Sequence, residues 1–582
     1  MPQSSQTHTH SRAAWHGFMT SVAVGALLAL SACDTKTDVS EDEETSGNET
    51  PVTEVEPKKI MPHTLEKEEF SGAVQYDMSV TGMAPPQAMP QPLPGTVDRE
   101  KYEDFDENPV KIVTDDPIST FSVDVDTASY SVMRRYLNDG TLPPRDAIRT
   151  EELINYFDYD YALPDSKDAP FKINAHLSPT PWAQGTELLH IGIKGYDIVP
   201  EKRPDSNLVM LLDVSGSMES PDKLPLLKKS LRMLINEMGK DDTVSIVVYA
   251  GAAGTVLEPT KGSDKSKILA ALERLSAGGS TAGGEGIRQA YALAEQSFKS
   301  QAVNRVILAT DGDFNVGIND PERLEDFVSE KRATGVYLTV LGFGRGNYND
   351  LLMQKLAQAG NGNAAYIDTL MEARKVLVDE MGGTLFTIAD DVKIQVEFNP
   401  RQVAEYRLIG YETRALKRED FNNDKVDAGE IGSGHAVTAI YEIVPVGSTT
   451  RWTEPLRYET QTPAATPDKN GEVAFVRVRY KLPGEDKSRL IETPVNADEA
   501  FASFGEAPED VRFAASVAAF GQKLKGGTYL KDFDYDAIAA IAQNAKGTDD
   551  MGYRAEFIRL VKLAATAAAL PSLEKPGSAE TN

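Results

Sequence analysis

Asp213, Ser215 and Ser217 stand at alternate positions directly after the apolar run Asn207-Leu208-Val209-Met210-Leu211-Leu212. Ending a buried strand in a carboxylate and two hydroxyls is costly unless those groups find partners. Their spacing instead lets three oxygens converge on one point just beyond the strand. Hard oxygens gathered in this way suit a small divalent cation such as magnesium. Hydroxyls as direct ligands, with the carboxylate one water further out, leave such an ion strongly electrophilic, and an open coordination position then attracts an external carboxylate.

One loop cannot complete such a site, so further oxygens must come from neighbouring strand ends. Two segments offer them. SAGGSTAGGEGI (276–287) presents Ser280-Thr281 among glycines just before a helix, and ILATDGDFNVG ends an apolar strand at Thr310-Asp311-Gly312. The elements that would bring these loops together are legible from periodicity. Strands are predicted at 207–213, 243–249, 303–309 and 335–342. Between them lie amphipathic helices, marked by Leu227, Leu231 and Leu234 and again by Ile268, Leu272 and Leu275. RVILAT and VYLTVLGFG are nearly continuous apolar runs, as strands buried on both faces require. Strand and helix alternating in this manner specify an α/β, doubly wound, mostly parallel sheet, which collects ligands at the C-terminal ends of its strands.

Asp213-x-Ser215-x-Ser217, Thr281 and Thr310-Asp311-Gly312, in this order on this background, resemble the von Willebrand factor type A (VWA) domain and its metal-ion-dependent adhesion site. The resemblance implies that Ser215, Ser217 and Thr281 bind the ion directly, while Asp213 and Asp311 act through waters. It also implies magnesium, or manganese or calcium, as the ion and a protein partner that supplies an acidic side chain. Beyond residues 206–380, TFSVDVDTASYSVMRRYLNDGTLPP with RTEELINYFDYDY, and YRLIGYETRALKREDFNNDKVDAGEIGSGHAVTAIYEI with GYRAEFIRLVKLA, resemble the flanks of a bacterial subfamily of exported VWA lipoproteins.

The start of the chain agrees with export. Residues 17–32, GFMTSVAVGALLALSA, form an apolar run shorter than the roughly 20 residues of a membrane span and are similar to a signal-peptide core. Leu30-Ser31-Ala32-Cys33 resembles the bacterial lipobox, which implies lipidation of Cys33 and a membrane tether outside the cytoplasm, on the periplasmic side. Cys33 is the chain's one cysteine, so neither an internal disulfide nor a cysteine zinc site can form. The formal net charge of −29 argues against nucleic acid as a partner.

The expected organisation is a signal peptide (1–32), a disordered acidic and proline-rich tether (33–108), an N-terminal flank (109–205), the VWA domain (206–380), a β-rich region (381–495) with a sandwich among its possible closures, a helical segment (496–570) and a disordered tail (571–582). The strands before 205 and after 390 are expected to build one domain into which the VWA domain is inserted. TFSVDVD (120–126) reads as a strand, 127–136 and 144–157 as helices, and 508–524, 535–544 and 553–569 as the terminal helices. The last of these is expected to pack on a sheet. YFDYDY (156–161) reads as a loop with its rings turned inward and its aspartates wet.

DFNNDKVDAGE carries Asp420, Asn422 and Asp424 at calcium-loop spacing, but Lys425 stands where that loop needs glycine and Ile431 where it needs glutamate, so a polar turn is expected. GFGRGN (342–347) misplaces the third glycine of a dinucleotide loop and reads as a turn at the sheet's C-terminal edge. The sequence has no HExxH and no nucleophile elbow, and His63, His176, His190 and His435 read as structural. The chain is therefore read as a binding protein and not an enzyme. A metal-dependent envelope hydrolase and a scaffold with a vestigial site are the alternatives.

Overall fold

A computed structural model describes residues 99–166, 169–198, 203–279, 283–312, 320–454 and 471–570. The leader, Cys33, the tether up to residue 98 and the tail from residue 571 lie outside the described residues. The chain opens with β1 (Lys111–Ile112), β2 (Ile118–Ser122), α1 (Ala128–Asn138), α2 (Thr150–Asn155), β3 (Phe171–Pro179) and β4 (Glu187–Gly195). The alternating middle follows as β5 (Ser206–Asp213), α3 (Leu224–Glu237), β6 (Thr243–Tyr249), β7 (Ala253–Lys261), α4 (Lys265–Glu273), α5 (Gly283–Gln296), β8 (Val303–Thr310), α6 (Pro321–Arg332), β9 (Tyr337–Phe343), α7 (Asp350–Ala359), β10 (Ala364–Ile367), α8 (Leu370–Arg374) and α9 (Met381–Leu385). The chain then runs through β11 (Thr387–Phe398), β12 (Val403–Ile409), β13 (Ile431–Gly432), β14 (Ala436–Pro445), β15 (Glu472–Lys481) and β16 (Arg489–Asn496) to α10 (Glu509–Lys525), α11 (Tyr535–Asn544) and α12 (Tyr553–Ala569).

The middle forms a six-stranded sheet in the order β10-β9-β8-β5-β6-β7. Every pairing in it is parallel except β6 with β7. β5 lies inside and has no polar face to spare. Leu208, Met210 and Leu212 feed one hydrophobic cluster, while Val209 and Leu211 feed another on the opposite face. The four predicted strands are all present. The antiparallel edge β7 and the short β10 were not anticipated.

The flanks build jointly. β3 and β4 from the N-terminal side continue the sheet β1-β12-β14-β4-β3, with β14 pairing antiparallel to β4. β2 pairs with β11 in the second antiparallel sheet, β13-β11-β15-β16. Phe121, Ile191, Val396, Tyr441 and Val476 from the two sheets share one core, so they close face to face as a sandwich. The segments 109–205 and 381–495 thus build these sheets jointly, with the VWA sheet lying between them in the chain, because β1 pairs with β12, β2 with β11 and β4 with β14 across the two segments. α10, α11 and α12 join α1 and α2 in a helical core that also takes in Leu188, Ile409 and Ile440 of the first sheet.

Several local expectations need correction. Residues 99–108, assigned to the tether, are partly built in: Glu100 is buried against Arg135, and Asn108 Nδ2 donates to Gly410 O at 2.7 Å. The strand expected over 120–126 ends at Ser122, because Arg414 draws Asp124 and Asp126 out of the ladder at 2.9 and 3.0 Å. The helix expected over 144–157 breaks into a 3-10 turn at 145–147 and α2. Between them Arg149 is extended, and its guanidinium is committed to Glu152 and Asp350. α12 packs chiefly on α11 and α1, in the same core as Leu188, Ile409 and Ile440 of the first sheet. YFDYDY is as expected: Tyr156, Phe157, Tyr159 and Tyr161 are buried, and Asp158 and Asp160 are exposed. Among the described residues no helix is long and apolar enough to cross a membrane.

Candidate functional site

The candidate residues gather where β5 and β8, adjacent parallel strands, reach their C-terminal ends. Asp213 is fully buried, and its Oδ1 accepts the Ser215 N–H at 2.8 Å, which curls the loop back on itself. Ser215 is buried, Ser217 is exposed, and their hydroxyls lie 3.0 Å apart, so the pair runs from the interior to the mouth of the rim. Two backbone bonds zip this loop to the segment before α5: Gly216 N to Gly279 O at 3.0 Å and Gly278 N to Val214 O at 2.8 Å. Ser280 and Thr281 come next in the chain, and both lie outside the described residues.

From β8, Thr310 Oγ1 donates to Asp213 Oδ2 at 3.4 Å and accepts the Gly312 N–H at 3.2 Å. Asp311 is fully buried. Gly312 has φ +104°, and a Cβ there would meet Asn347 O at 2.4 Å, so the strand end can sit against the 344–349 loop only with glycine at this position. The segment 342–347 ends β9 at Phe343 and turns over 344–347 at the C-terminal edge of the sheet, as its sequence predicts, and it belongs to the rim.

One residue of the rim escaped the sequence reading. Lys223 Nζ donates to Asp311 Oδ2 at 2.8 Å and to Asn347 Oδ1 at 3.2 Å. A signal was present. Lys223 is the N-cap of α3, where short oxygen-bearing side chains are preferred and a positive charge opposes the helix dipole. A lysine placed there is serving something other than the helix.

The electrostatics favour an added cation. Burial pushes the Asp213 carboxyl up to about 6, and the charge of Asp311 pushes the same way, against the hydrogen bonds from Ser215 and Tyr249. Two buried carboxylates beside two hydroxyls fit a hard divalent ion, which would relieve their mutual repulsion. Among the described residues no three His, Cys, Asp or Glu side chains group as metal ligands, so the fit depends on the serine oxygens. Beside the site, Met218, Leu224, Pro225, Met233, Leu275 and Ala277 line an apolar groove of about 750 Å³.

The described histidines lie elsewhere. His176 and His190 pair across β3 and β4, and His190 Nε2 is 2.8 Å from Tyr161 OH. His435 lies in the loop before β14. The calcium-like stretch forms a 3-10 turn at Arg418–Asn422 followed by a loop, in which Asp424 Oδ1 accepts from Ser488 Oγ at 2.5 Å.

Sheet and rim together define a class, and the comparison with known families gives the same one. The von Willebrand factor type A domain model matches residues 207–379, and a model described as von Willebrand factor matches 96–190. Residues 383–567 match the model described as the C-terminal part of uncharacterized protein YfbK. Uncharacterized protein YfbK of Escherichia coli (strain K12) is 45% identical over 505 residues, which is 86% of this chain and 86% of that protein. The chain belongs to the YfbK family of bacterial VWA proteins.

Other relatives match smaller shares. Uncharacterized protein sll0103 of Synechocystis sp. (strain ATCC 27184 / PCC 6803 / Kazusa) is 31% identical over 30% of this chain and 40% of its own. Inter-alpha-trypsin inhibitor heavy chain H3 of Homo sapiens is 23% identical over 43% of this chain and 29% of its own. Among solved structures, the von Willebrand factor type A protein from Catenulispora acidiphila covers 67% of this chain and 89% of its own at 14% identity, with a TM-score of 0.38.

Proposed function

We propose that this protein is a binding module of the bacterial cell envelope that holds a divalent cation at the VWA rim and, through it, an acidic side chain of a protein partner. The observation that carries this reading is the meeting of Asp213, Ser215, Ser217 and Asp311 at one strand-end rim, with Ser217 open to solvent. VWA domains commonly mediate metal-dependent protein interaction, and this chain has the domain. Ser215, Ser217 and Thr281 are the direct ligands in this reading, with Asp213 and Asp311 behind them. When bound, the cation supplies a Lewis-acidic position for an outside carboxylate. Magnesium is the first choice, with manganese or calcium as alternatives.

The chain's own residues account for the rest. Asp213 and Asp311 supply negative charge from a dry interior, where it is felt strongly. The serine hydroxyls add none, so an external carboxylate is not repelled where it meets the ion. The groove beside Met218 offers the partner's apolar flank a surface adjoining the metal. Lipidation of Cys33 would hold the assembly at a membrane with its folded part outside the cytoplasm.

Thermal unfolding of the full-length chain in EDTA and in millimolar magnesium, beside Asp213→Ala, tests the site. Cation at about 100 times its dissociation constant stabilises by roughly 2.7 kcal/mol. Wild type should shift upward and Asp213→Ala should not. Equal shifts in the two would place the binding elsewhere, and no shift in either, with manganese and calcium as well, would refute the metal reading.

A further inference from the structure

Lys223 brings a full positive charge into the rim, and three features show that it is built in. It is 7% exposed, and its ammonium bridges Asp311 Oδ2 at 2.8 Å and Asn347 Oδ1 at 3.2 Å. Its stem crosses Gly344, where a Cβ would stand 2.3 Å from both Lys223 Cγ and Cε, so the turn leaves a channel only because that residue lacks a side chain. The turn itself is pinned from outside. Arg99 N donates to Gly346 O and Gly346 N to Glu100 Oε1, each at 2.9 Å, while Glu100 is held by Arg135.

We propose that Lys223 is a tethered competitor for the divalent cation and sets the affinity of the site. The inference rests on the metal reading above and goes beyond it. With Asp213 and Asp311 ionised the rim carries two negative charges, and Lys223 cancels one of them at the carboxylate where a cation would draw. A divalent ion entering the rim meets an ammonium that is held in place and largely out of water, where like charges repel strongly. The remaining charge of one carboxylate holds the ion loosely. A partner's carboxylate restores the missing negative charge, so cation and partner each bind more tightly when the other is present. Lys223 therefore links metal occupancy to partner occupancy.

The test is direct titration of the full-length chain with manganese alone, read by the electron paramagnetic resonance signal of the free ion. The wild type is set beside Lys223→Met, which keeps the length and packing of the stem, and Lys223→Gln, which keeps a donor toward Asp311. Circular dichroism establishes which variants are folded. The folded variants should bind manganese at least tenfold more tightly than wild type. Unchanged or weaker binding in both would overturn the inference and leave Lys223 as a support that merely orients Asp311. If neither wild type nor any folded variant takes up manganese at millimolar concentration, the metal reading falls and this inference falls with it.

Discussion

Replacing Arg134 with methionine should cost the molecule about 3–5 kcal/mol, the usual result of removing one side of a buried ion pair. Arg134 lies on α1 with 2% of its side chain exposed, and it gathers three carboxylates from two other parts of the chain. Its Nη2 reaches Glu372 at 2.8 Å and also Asp368, its Nε bonds Asp368 at 2.9 Å, and its Nη1 reaches Glu556 at 3.1 Å. Glu372 is fully buried and Asp368 nearly so, whereas Glu556 is 26% exposed and can turn to water. The loss therefore comes from Asp368 and Glu372. Burial already holds Asp368 above the ordinary carboxylate range even with the guanidinium beside it. Without Arg134 two buried carboxylates lose their cation, and burial is left to raise Asp368 unopposed by the guanidinium. The deficit of Arg134→Met should accordingly be larger at pH 8 than at pH 5, and adding Glu372→Gln should recover part of it. Urea denaturation followed by circular dichroism at both pH values measures this. A loss below about 1 kcal/mol, or one independent of pH, would refute the reasoning.

Two further outcomes follow from buried groups. His190 is pushed down to about 3 by burial and then by His176, and His435 to about 4 by burial and then by nearby lysines. A base whose folded pKa is depressed contributes stability that is whole above its unfolded value near 6.5 and is lost as pH falls below it. At pH 5 each histidine should cost about 2 kcal/mol relative to pH 7, and His190→Gln should flatten the urea midpoint over that range by one histidine's share. An unchanged slope would mean that His190 takes up its proton in the fold over the same pH range as in the unfolded chain, which refutes its depression by burial. Gly344→Ala should lower stability by about 1–3 kcal/mol, since it combines φ +77° with a collision on Lys223. Gly346→Ala, at φ +91° with open space around it, carries the backbone strain alone. Equal unfolding temperatures for the two variants would show that Lys223 yields at no cost.

The VWA sheet was legible because β5 and β8 are continuous apolar strands with alternate residues feeding opposite clusters, a pattern that has few other uses. The terminal helices were read to within a residue or so because alanine-rich sequence with apolar spacing near 3.6 has little competition. Failures fall where a partner distant in sequence decides. Nothing near Arg149 announces Asp350, 201 positions away, yet that pair is what interrupts the helix expected over 144–157. β7 is broken by Gly254 and Pro259, and β10 is four residues long; each is strand only because a neighbour offers it a ladder. Asp213, Ser215, Ser217 and Asp311 were found from spacing, since the four stand next to strand ends. Lys223 was visible only as a misplaced charge, and its target lies 88 positions away.

Those distant partners also explain which part of the rim is available. The N-terminal segment meets the VWA domain repeatedly on one side: Lys101 bridges to Asn349, Arg135 Nη1 donates to Tyr366 OH at 2.7 Å, Asp126 accepts Ala364 N at 2.7 Å, and Arg134 and Arg149 take Asp368 and Asp350. All of these are on or next to β9, α7 and β10. Toward the sandwich, the same segment gives Asp124 to Arg414 and Asn155 to Tyr411. One edge of the parallel sheet is therefore committed to holding the inserted domain in place. The loop carrying Gly216 and Ser217 and the segment 276–279 belong to the other half, and there Gly216 and Ser217 remain exposed beside the apolar groove. A protein inserted into a sandwich cannot present its whole rim, and this one keeps open the half that carries the serine hydroxyls. Lys223 stands at the boundary, its ammonium shared between Asp311 and the pinned 344–349 turn. In the proposed binding mode, a partner on the open half lies next to Lys223, whose ammonium reaches across to the anchored half.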